Sequence, residues 1–76
     1  MEKTKYFIMV GNCYVKNITF PEYRLILTKE SNERKEYPTL DTVKFDNREI
    51  EGKIFKEVTT IKVTEVSEAI KVTEVS

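Results

Sequence analysis

The sequence contains no histidine, one cysteine and two glycines. Without histidine, it cannot provide a histidine-based acid–base pair, catalytic triad or metal cluster. The lone Cys13 cannot form an intramolecular disulfide and is expected to be a small buried hydrophobe. Gly11 and Gly52 do not make a phosphate-binding loop. These absences predict a protein that is not an enzyme, with no cofactor and no metal site.

The charge balance gives no preference for a charged partner. Basic and acidic residues number 13 each, so the net charge is 0, which argues against DNA or an anionic membrane as a partner. Residues 46–49 lack the glycine and the spacing of a calcium-binding loop. No apolar run reaches membrane-spanning length and no secretory signal is visible, so we expect a cytoplasmic protein.

The stretch 37–55 carries helix signals in the correct order. Pro38 disfavours helix at the residue before it, and Thr39 follows as an N-cap residue. One stripe of the helix would then hold the side chains of Leu40, Val43, Asn47 and Ile50. Gly52 follows, at a position where a left-handed residue often ends a helix. We therefore predict a helix over residues 39–51.

A β-hairpin is the competing interpretation of this stretch. It would run through residues 43–45, turn at residues 46–47 and return through Ile50. It accounts for Phe45, which on a helix lies nearly opposite the apolar stripe. It does not explain why the cap, the stripe and the terminal glycine coincide, so we expect the helix.

Strand signals surround the helix. The strands are expected at residues 5–10, 13–20, 23–28 and 53–66. Gly11 and Asn12 are typical of a tight hairpin turn, and Pro21 ends the second strand. A bend or bulge is expected at Thr59 and Thr60. The order β-β-β-α-β predicts an α+β fold, a small antiparallel sheet with one helix packed on one face.

The C-terminal tail repeats itself. Residues 61–67 read IKVTEVS, and residues 70–76 have the same sequence. The repeat is too short, and has too few copies, to be a solenoid. A neutral duplication is the simpler interpretation, and the alternative is that the second copy adds a strand or pairs with another chain. The chain is accordingly divided into one α+β domain at residues 1–67 and a strand-like tail at residues 68–76.

The first strand is apolar on both faces, because Tyr6, Ile8 and Val10 alternate with Phe7 and Met9. A single helix covers only one face of a sheet, so something else must cover the other. The C-terminal strand, a second copy of the chain and a foreign partner are the expected candidates. The charged connection at residues 29–36 is expected to be a solvated loop.

Phe45 is the leading candidate for a contact with a partner. On the predicted helix it lies on the polar face beside Asp41, Arg48 and Glu49, and an aromatic ring surrounded by charges resembles an interaction hot spot. Tyr23, at the start of the third strand, is the second aromatic residue assigned to the binding surface. The alternative is that the helix rotates or ends early and Phe45 packs inside.

A second hypothesis uses the aromatic residues of the first three strands. Such rings can stack on nucleic-acid bases when lysine or arginine lies nearby. The rings concerned are Tyr6, Phe7, Tyr14, Phe20 and Tyr23. The alternative is that these rings form the core, as aromatic residues usually do in small domains. The zero net charge favours the core interpretation.

The order of these segments resembles that of a known group. The segments are KYFIMVGNCYVK, YRLILTKESNERKEYPT, a helix and GKIFKEVTT. Over about residues 4–66 they are similar to small uncharacterised accessory proteins of bacteriophages and prophages of low-GC Gram-positive bacteria. The chain departs from that group at Val43 and Asn47, where small residues are common, and in its duplicated tail. The resemblance implies a phage-encoded factor in the host cytoplasm that binds a host or phage macromolecule, and it transfers no functional residue.

We therefore expect a small non-enzymatic protein-binding module that inhibits or modulates a host protein by steric occupation. It would bind a host or phage protein through the Phe45 side of the helix or through the uncovered sheet face. The alternatives are a single-stranded nucleic-acid-binding protein and a structural homo-oligomer, such as a homodimer, assembled through the C-terminal strands.

Overall fold

The computed structural model describes residues 1–19, 21–62 and 67–75. Its elements in chain order are β1 (Glu2–Val10), β2 (Cys13–Thr19), β3 (Arg24–Thr28), a 3-10 turn (Ser31–Glu33), α1 (Leu40–Ile50), β4 (Lys53–Lys62) and β5 (Ser67–Val75). The strands form one antiparallel sheet in the order β3-β2-β1-β4-β5. The predicted α+β class with one helix is confirmed for the described residues, and the tail adds a fifth strand, β5, which was the alternative interpretation of the repeat.

The turn between β1 and β2 forms where the sequence predicts it. Val10 pairs with Cys13 across a two-residue loop. Gly11 adopts a φ of 63°, which glycine tolerates because it has no Cβ to clash with the backbone. The local signal was sufficient here because the turn depends on these two residues alone.

The turn between β2 and β3 extends one residue further than predicted. β3 begins at Arg24, and Tyr23 belongs to the turn, with a φ of 48°. Tyr23 thus supplies a left-handed residue as the chain reverses, which removes it from the strand. The predicted second strand is confirmed up to Thr19, whereas Phe20 lies outside the described residues.

The register break of the sheet is not where the sequence suggested. The ladders of β4 with β1 and with β5 run through Thr59 and Thr60 without a shift, so the expected bulge there is wrong. The shift lies between Val15 and Asn17 of β2. The expected continuation of β4 over residues 63–66 lies outside the described residues.

Helix α1 has the predicted start and a different end. The Thr39 Oγ1 accepts a hydrogen bond of 3.3 Å from the backbone N of Thr42. The left-handed residue at the other end is Glu51, with φ 58° and ψ 36°, and not Gly52. Gly52 is needed for a different reason, because a Cβ at this position would lie 2.6 Å from the carbonyl oxygen of Met9. The structure thus confirms the helix and excludes the hairpin.

The hydrophobic core lies between α1 and one face of the sheet. Its buried members are Ile8, Val15, Ile18, Tyr37, Val43 and Ile54. Leu40 and Ile50 pack against this cluster, so the predicted apolar stripe of the helix does face the sheet. No helix among the described residues has the length and apolar character needed to cross a membrane.

The segment between β3 and α1 passes between two strands. The backbone N of Lys35 donates to the carbonyl of Val15 in β2 at 2.8 Å. Tyr37 exchanges two backbone hydrogen bonds with Tyr6 of β1, at 2.8 and 2.9 Å. Residues 34–37 therefore fill the gap where β1 and β2 separate, and carry the chain from one face of the sheet to the other.

The crossing of residues 34–37 places the Arg34 side chain over the face of the sheet that is opposite the helix. Its guanidinium lies 4.1 Å from the centre of the Phe7 ring and donates to Glu57 at 2.7 Å. Phe7, itself 3% exposed, stacks on Phe55 with ring centroids 5.5 Å apart. Arg34 thus covers this part of the face, which corrects its place in a solvated loop, whereas residues 29–33 and Glu36 of the charged connection are exposed as expected. The sequence could not show this, because the cover depends on where the chain crosses the sheet.

Candidate functional site

The five residues assigned to a partner surface lie around one end and one side of α1. Phe45 is 69% exposed, so the interpretation that it packs inside is wrong. Hollows open on both sides of its ring. Tyr23, Arg48 and Glu49 line the first, and Asp41 lines the second. We name this region, from Tyr23 across Phe45 to Asp41, the Phe45 surface.

The first hollow lies between α1 and the β2–β3 turn. It has a volume of about 230 Å³, and Ile18 and the Tyr23 ring are part of its lining. Arg48 and Glu49 line it from the helix. A lining that combines apolar and charged side chains suits one apolar side chain of a partner, with polar groups close beside it.

The second hollow lies between the start of α1 and the segment that leads into it. It is broader and more open, about 560 Å³, and Tyr37 and Pro38 form one wall. Asp41 and Thr42 of the first helical turn form the other. Phe45 borders both hollows, so a partner that filled both would enclose its ring.

Asp46 holds the helix to the connecting segment beneath this surface. It accepts a hydrogen bond of 2.6 Å from the Tyr37 hydroxyl and lies 3.6 Å from the Lys35 ammonium. Burial raises the pKa of Tyr37 well above its ordinary value, and the hydrogen bond to Asp46 and the charge of that carboxylate raise it further. The hydroxyl therefore stays protonated and keeps donating to Asp46.

Tyr23 lies close to the Asp46 carboxylate and to that of Glu49. Burial raises the pKa of its hydroxyl, and the charges of Glu49 and Asp46 add to the rise. Since its ring also packs against the core, Tyr23 serves as a fixed wall of the first hollow. Only part of the ring is available to a partner.

The far end of α1 is fixed by a second polar contact. The Asn47 side chain accepts from the backbone N of Gly52 at 2.8 Å and donates to its carbonyl at 3.0 Å. This pair of bonds explains an amide in the apolar stripe of the helix. Together with the Thr39 cap, it holds both ends of α1 and so fixes the position of Phe45.

Among the strand aromatic residues that the structure describes, Phe7 is buried and Tyr6 and Tyr14 are half-buried, so they form no exposed platform, while Phe20 lies outside the described residues. Phe7 and Tyr37 are buried, and Arg34 lies over Phe7 and 5.9 Å from the centre of the Tyr14 ring. The guanidinium occupies the place on Phe7 that a stacked base would need. Of the aromatic side chains that the structure describes, the exposed one is Phe45, on the helix side of the sheet.

Asp46 and Tyr37 are the residues that the sequence did not assign to the site. They meet only because residues 34–37 cross the sheet beneath the helix, and no spacing along the chain signals that contact. Within the described ranges, no three His, Cys, Asp or Glu side chains converge to form a metal site. No family model, curated protein or solved structure matches the chain.

Proposed function

We propose that the protein is a small non-enzymatic binding module that contacts another protein through the Phe45 surface. The observation that carries the proposal is the 69% exposure of the Phe45 ring between two hollows. Exposing an aromatic ring to water is unfavourable, and enclosing it in a partner recovers that free energy. Aromatic side chains of this kind dominate many protein interfaces.

The rigidity of α1 supports this proposal. Thr39 caps one end of the helix, Asn47 bonds the other to Gly52, and Asp46 joins its middle to Tyr37. Because the helix is already held in place, little conformational entropy remains to be lost on binding. A preorganised surface of this kind favours recognition of one partner.

The charges suggest the chemistry of the partner. Asp41 lies beside the second hollow and Glu49 beside the first, so carboxylates flank the ring on both sides. The proposed partner segment presents two apolar side chains that straddle Phe45, with a lysine or arginine near Asp41 or Glu49. The rim charges would contribute more to association rate and selectivity than to affinity.

The class of partner follows from the sequence resemblance. Its similarity to phage accessory proteins supports a host or phage protein as the partner, met in the cytoplasm of the host cell. A chain with 76 residues and no proposed catalytic site would act by occupying a surface that the partner needs elsewhere. Steric inhibition or modulation is the resulting mechanism.

The test compares Phe45→Ala with wild type in capture from a host lysate, followed by titration of the purified captured protein. Loss of a hot-spot ring worth about 2 kcal/mol should raise Kd about thirtyfold. The matched control is Leu27→Ala, which truncates another exposed apolar side chain, 40% exposed, on β3. The melting temperatures of both variants should stay close to that of wild type, because neither the Phe45 ring nor the Leu27 side chain is buried. Equal affinity of Phe45→Ala and wild type for the captured protein would refute the proposal.

A further inference from the structure

The outer edge of β5 is long, regular and exposed. β5 has 9 residues and pairs with β4 without a register shift, and in the part of the chain that is described no strand covers its other side. The opposite edge strand, β3, has 5 residues and lies beside the shift in β2. Proteins usually shorten, bulge or cover a long edge, because its outward backbone groups recruit further strands.

Hydrogen bonds at the start of β1 show which backbone groups of β5 face outward. Ile61 donates to Met1 at 2.9 Å, and the N-terminal amine of Met1 donates to Ile61 at 3.3 Å. The odd-numbered residues of β4 therefore face β1. Since successive residues of an antiparallel strand bond to opposite sides, the even-numbered residues of β4 face β5.

The same alternation continues into β5. Ile54 of β4 pairs with Val75, and Lys62 pairs with Ser67, so the odd-numbered residues of β5 bond to β4. The backbone groups that point away from the sheet belong to Glu68, Ile70, Val72 and Glu74. Two of these residues also carry exposed apolar side chains, Ile70 at 58% and Val72 at 50%.

We propose that two copies of the chain join by antiparallel pairing of their β5 strands about a two-fold axis. Such a contact is self-complementary and would make one continuous sheet across both copies. On the face opposite α1, one of the exposed side chains of Ile70 and Val72 would meet its counterpart at the axis, and the other would be its diagonal neighbour across the strands. Each copy would thereby cover the free edge of the other.

The charges of β5 restrict the register. An axis at Lys71 would place this lysine opposite its own copy and Glu68 opposite Glu74. Moving the axis by one residue, to Ile70 or Val72, pairs Lys71 with Ala69 or with Thr73 instead. Like charges then no longer face each other directly, and an apolar side chain lies on the axis. The proposed dimer has one of these two registers.

The first test is sedimentation equilibrium of wild type and Val72→Pro over a wide concentration range. The Val72 amide points outward, so proline removes a donor to the second copy without removing a bond to β4. Wild type should form dimers as concentration rises, and Val72→Pro should stay monomeric. Phe45→Ala is the control and should dimerise like wild type, which separates this contact from the Phe45 surface. A wild-type monomer at every concentration, or an unchanged Val72→Pro dimer, would overturn the proposal.

The second test needs no variant and so holds even if Val72→Pro fails to fold. Amide hydrogen exchange of wild type is measured by NMR at low and high concentration. The amides of Ile70, Val72 and Glu74 should gain protection with concentration, by at least tenfold. Those of Lys71 and Thr73, which bond to β4, are internal controls and should be protected throughout. Fast exchange of the outward amides at high concentration would show that the edge is left free and would overturn the proposal.

Discussion

Two neighbouring positions at the end of α1 both favour glycine, for different reasons. Glu51 is left-handed, with φ 58° and ψ 36°, a conformation that costs a residue with a Cβ about 1–2 kcal/mol. We predict that Glu51→Gly stabilises the protein by about 0.5–1 kcal/mol, because glycine relieves that strain but loses more entropy on folding. Urea unfolding measures the change. Glu51→Ala controls for removal of the carboxylate from the helix C-terminus and should give less stabilisation.

At Gly52, one residue further, replacing the glycine should lower the stability of the protein. A Cβ at this position would lie 2.6 Å from the Met9 carbonyl oxygen and 2.8 Å from Ile8 Cγ2. Backbone atoms must move to admit it, so Gly52→Ala should destabilise the protein by about 1–3 kcal/mol. If Glu51→Gly destabilised the protein, the assignment of the left-handed position to Glu51 would be wrong. If Gly52→Ala did not, the close approach of Gly52 to Met9 would be wrong.

The Tyr37 hydroxyl makes the free energy of unfolding depend on pH in the alkaline range. Burial and the Asp46 carboxylate raise the pKa of Tyr37 in the folded protein, while in the unfolded chain it titrates near 10. Above pH 10 the unfolded state loses this proton and the folded state keeps it. The contribution of this group to the free energy of unfolding is therefore complete below pH 10. Above pH 10 it falls by up to about 1.4 kcal/mol per pH unit.

Tyr37→Phe isolates that contribution. At pH 7 the variant should be less stable by about 1.5–3 kcal/mol, because Asp46 loses a hydrogen bond of 2.6 Å to a charged acceptor. Between pH 10 and 11 its stability should fall less steeply than that of wild type. Chemical unfolding at pH 7, 9, 10 and 11 gives both quantities, and parallel pH profiles would contradict the assignment.

At the scale of elements, the connection between β3 and α1 stabilises the sheet from its second face. The Arg34 side chain is 10% exposed and bonds Glu57, which is 16% exposed, while its guanidinium covers Phe7. Arg34→Ala should cost about 2–4 kcal/mol, since it uncovers the ring and leaves a largely buried carboxylate without its cation. Arg34→Lys should recover part of this loss, because an ammonium lacks the planar stacking surface.

The control for Arg34 is another arginine on the sheet. Arg24 is 73% exposed and lies 3.8 Å from Glu22, so Arg24→Ala should change stability by less than about 0.5 kcal/mol. Urea unfolding of Arg34→Ala, Arg34→Lys and Arg24→Ala separates loss of the guanidinium that covers Phe7 from loss of a positive charge. Equal effects of Arg34→Ala and Arg24→Ala would show that the connection does not stabilise the sheet.

Elements defined by local chemistry were predictable from the sequence. Thr39, the apolar stripe and the turn at Gly11 each depend on residues within a few positions, and all three features are confirmed. The left-handed residue was misassigned because Gly52 satisfies a local rule, while the deciding contact comes from Met9, far away in sequence. Arg34 was expected in a solvated loop for the same reason, because a run of charged residues does not indicate over which face of the sheet the chain will pass.

In the complete fold, the surroundings of Phe45 and the place of β5 depend on contacts between residues that are far apart in sequence. Exposure of Phe45 followed from helical periodicity, but the hollows beside it depend on Tyr23 and Tyr37, which three-dimensional packing brings to α1. The repeated tail predicted a strand as one of its alternatives. Pairing with β4 became visible only in the fold, since residues 70–76 have the same sequence as residues 61–67 and local propensity cannot distinguish their places.

The molecule is long and unevenly packed, with extents of 49 × 24 × 20 Å, and this predicts a gradient of local stability. Phe7 pairs with Phe55, and Lys3 pairs with Thr59, in the same β1–β4 ladder, and alternation gives both pairs the same hydrogen-bonding pattern. Phe7 is buried and Arg34 covers it, whereas Lys3 is exposed. We therefore expect the amides of Lys3 and Thr59 to exchange roughly a hundredfold faster than those of Phe7 and Phe55.

Amide exchange at low protein concentration measures this gradient without interference from self-association. Because the hydrogen bonds of the two pairs are matched, a difference in rate reports the cost of local opening rather than the bonding pattern. Slow exchange at both pairs would mean that the sheet opens as one cooperative unit. In that case, β4 and β5 would be stabilised along their whole length by contacts other than the core beneath α1.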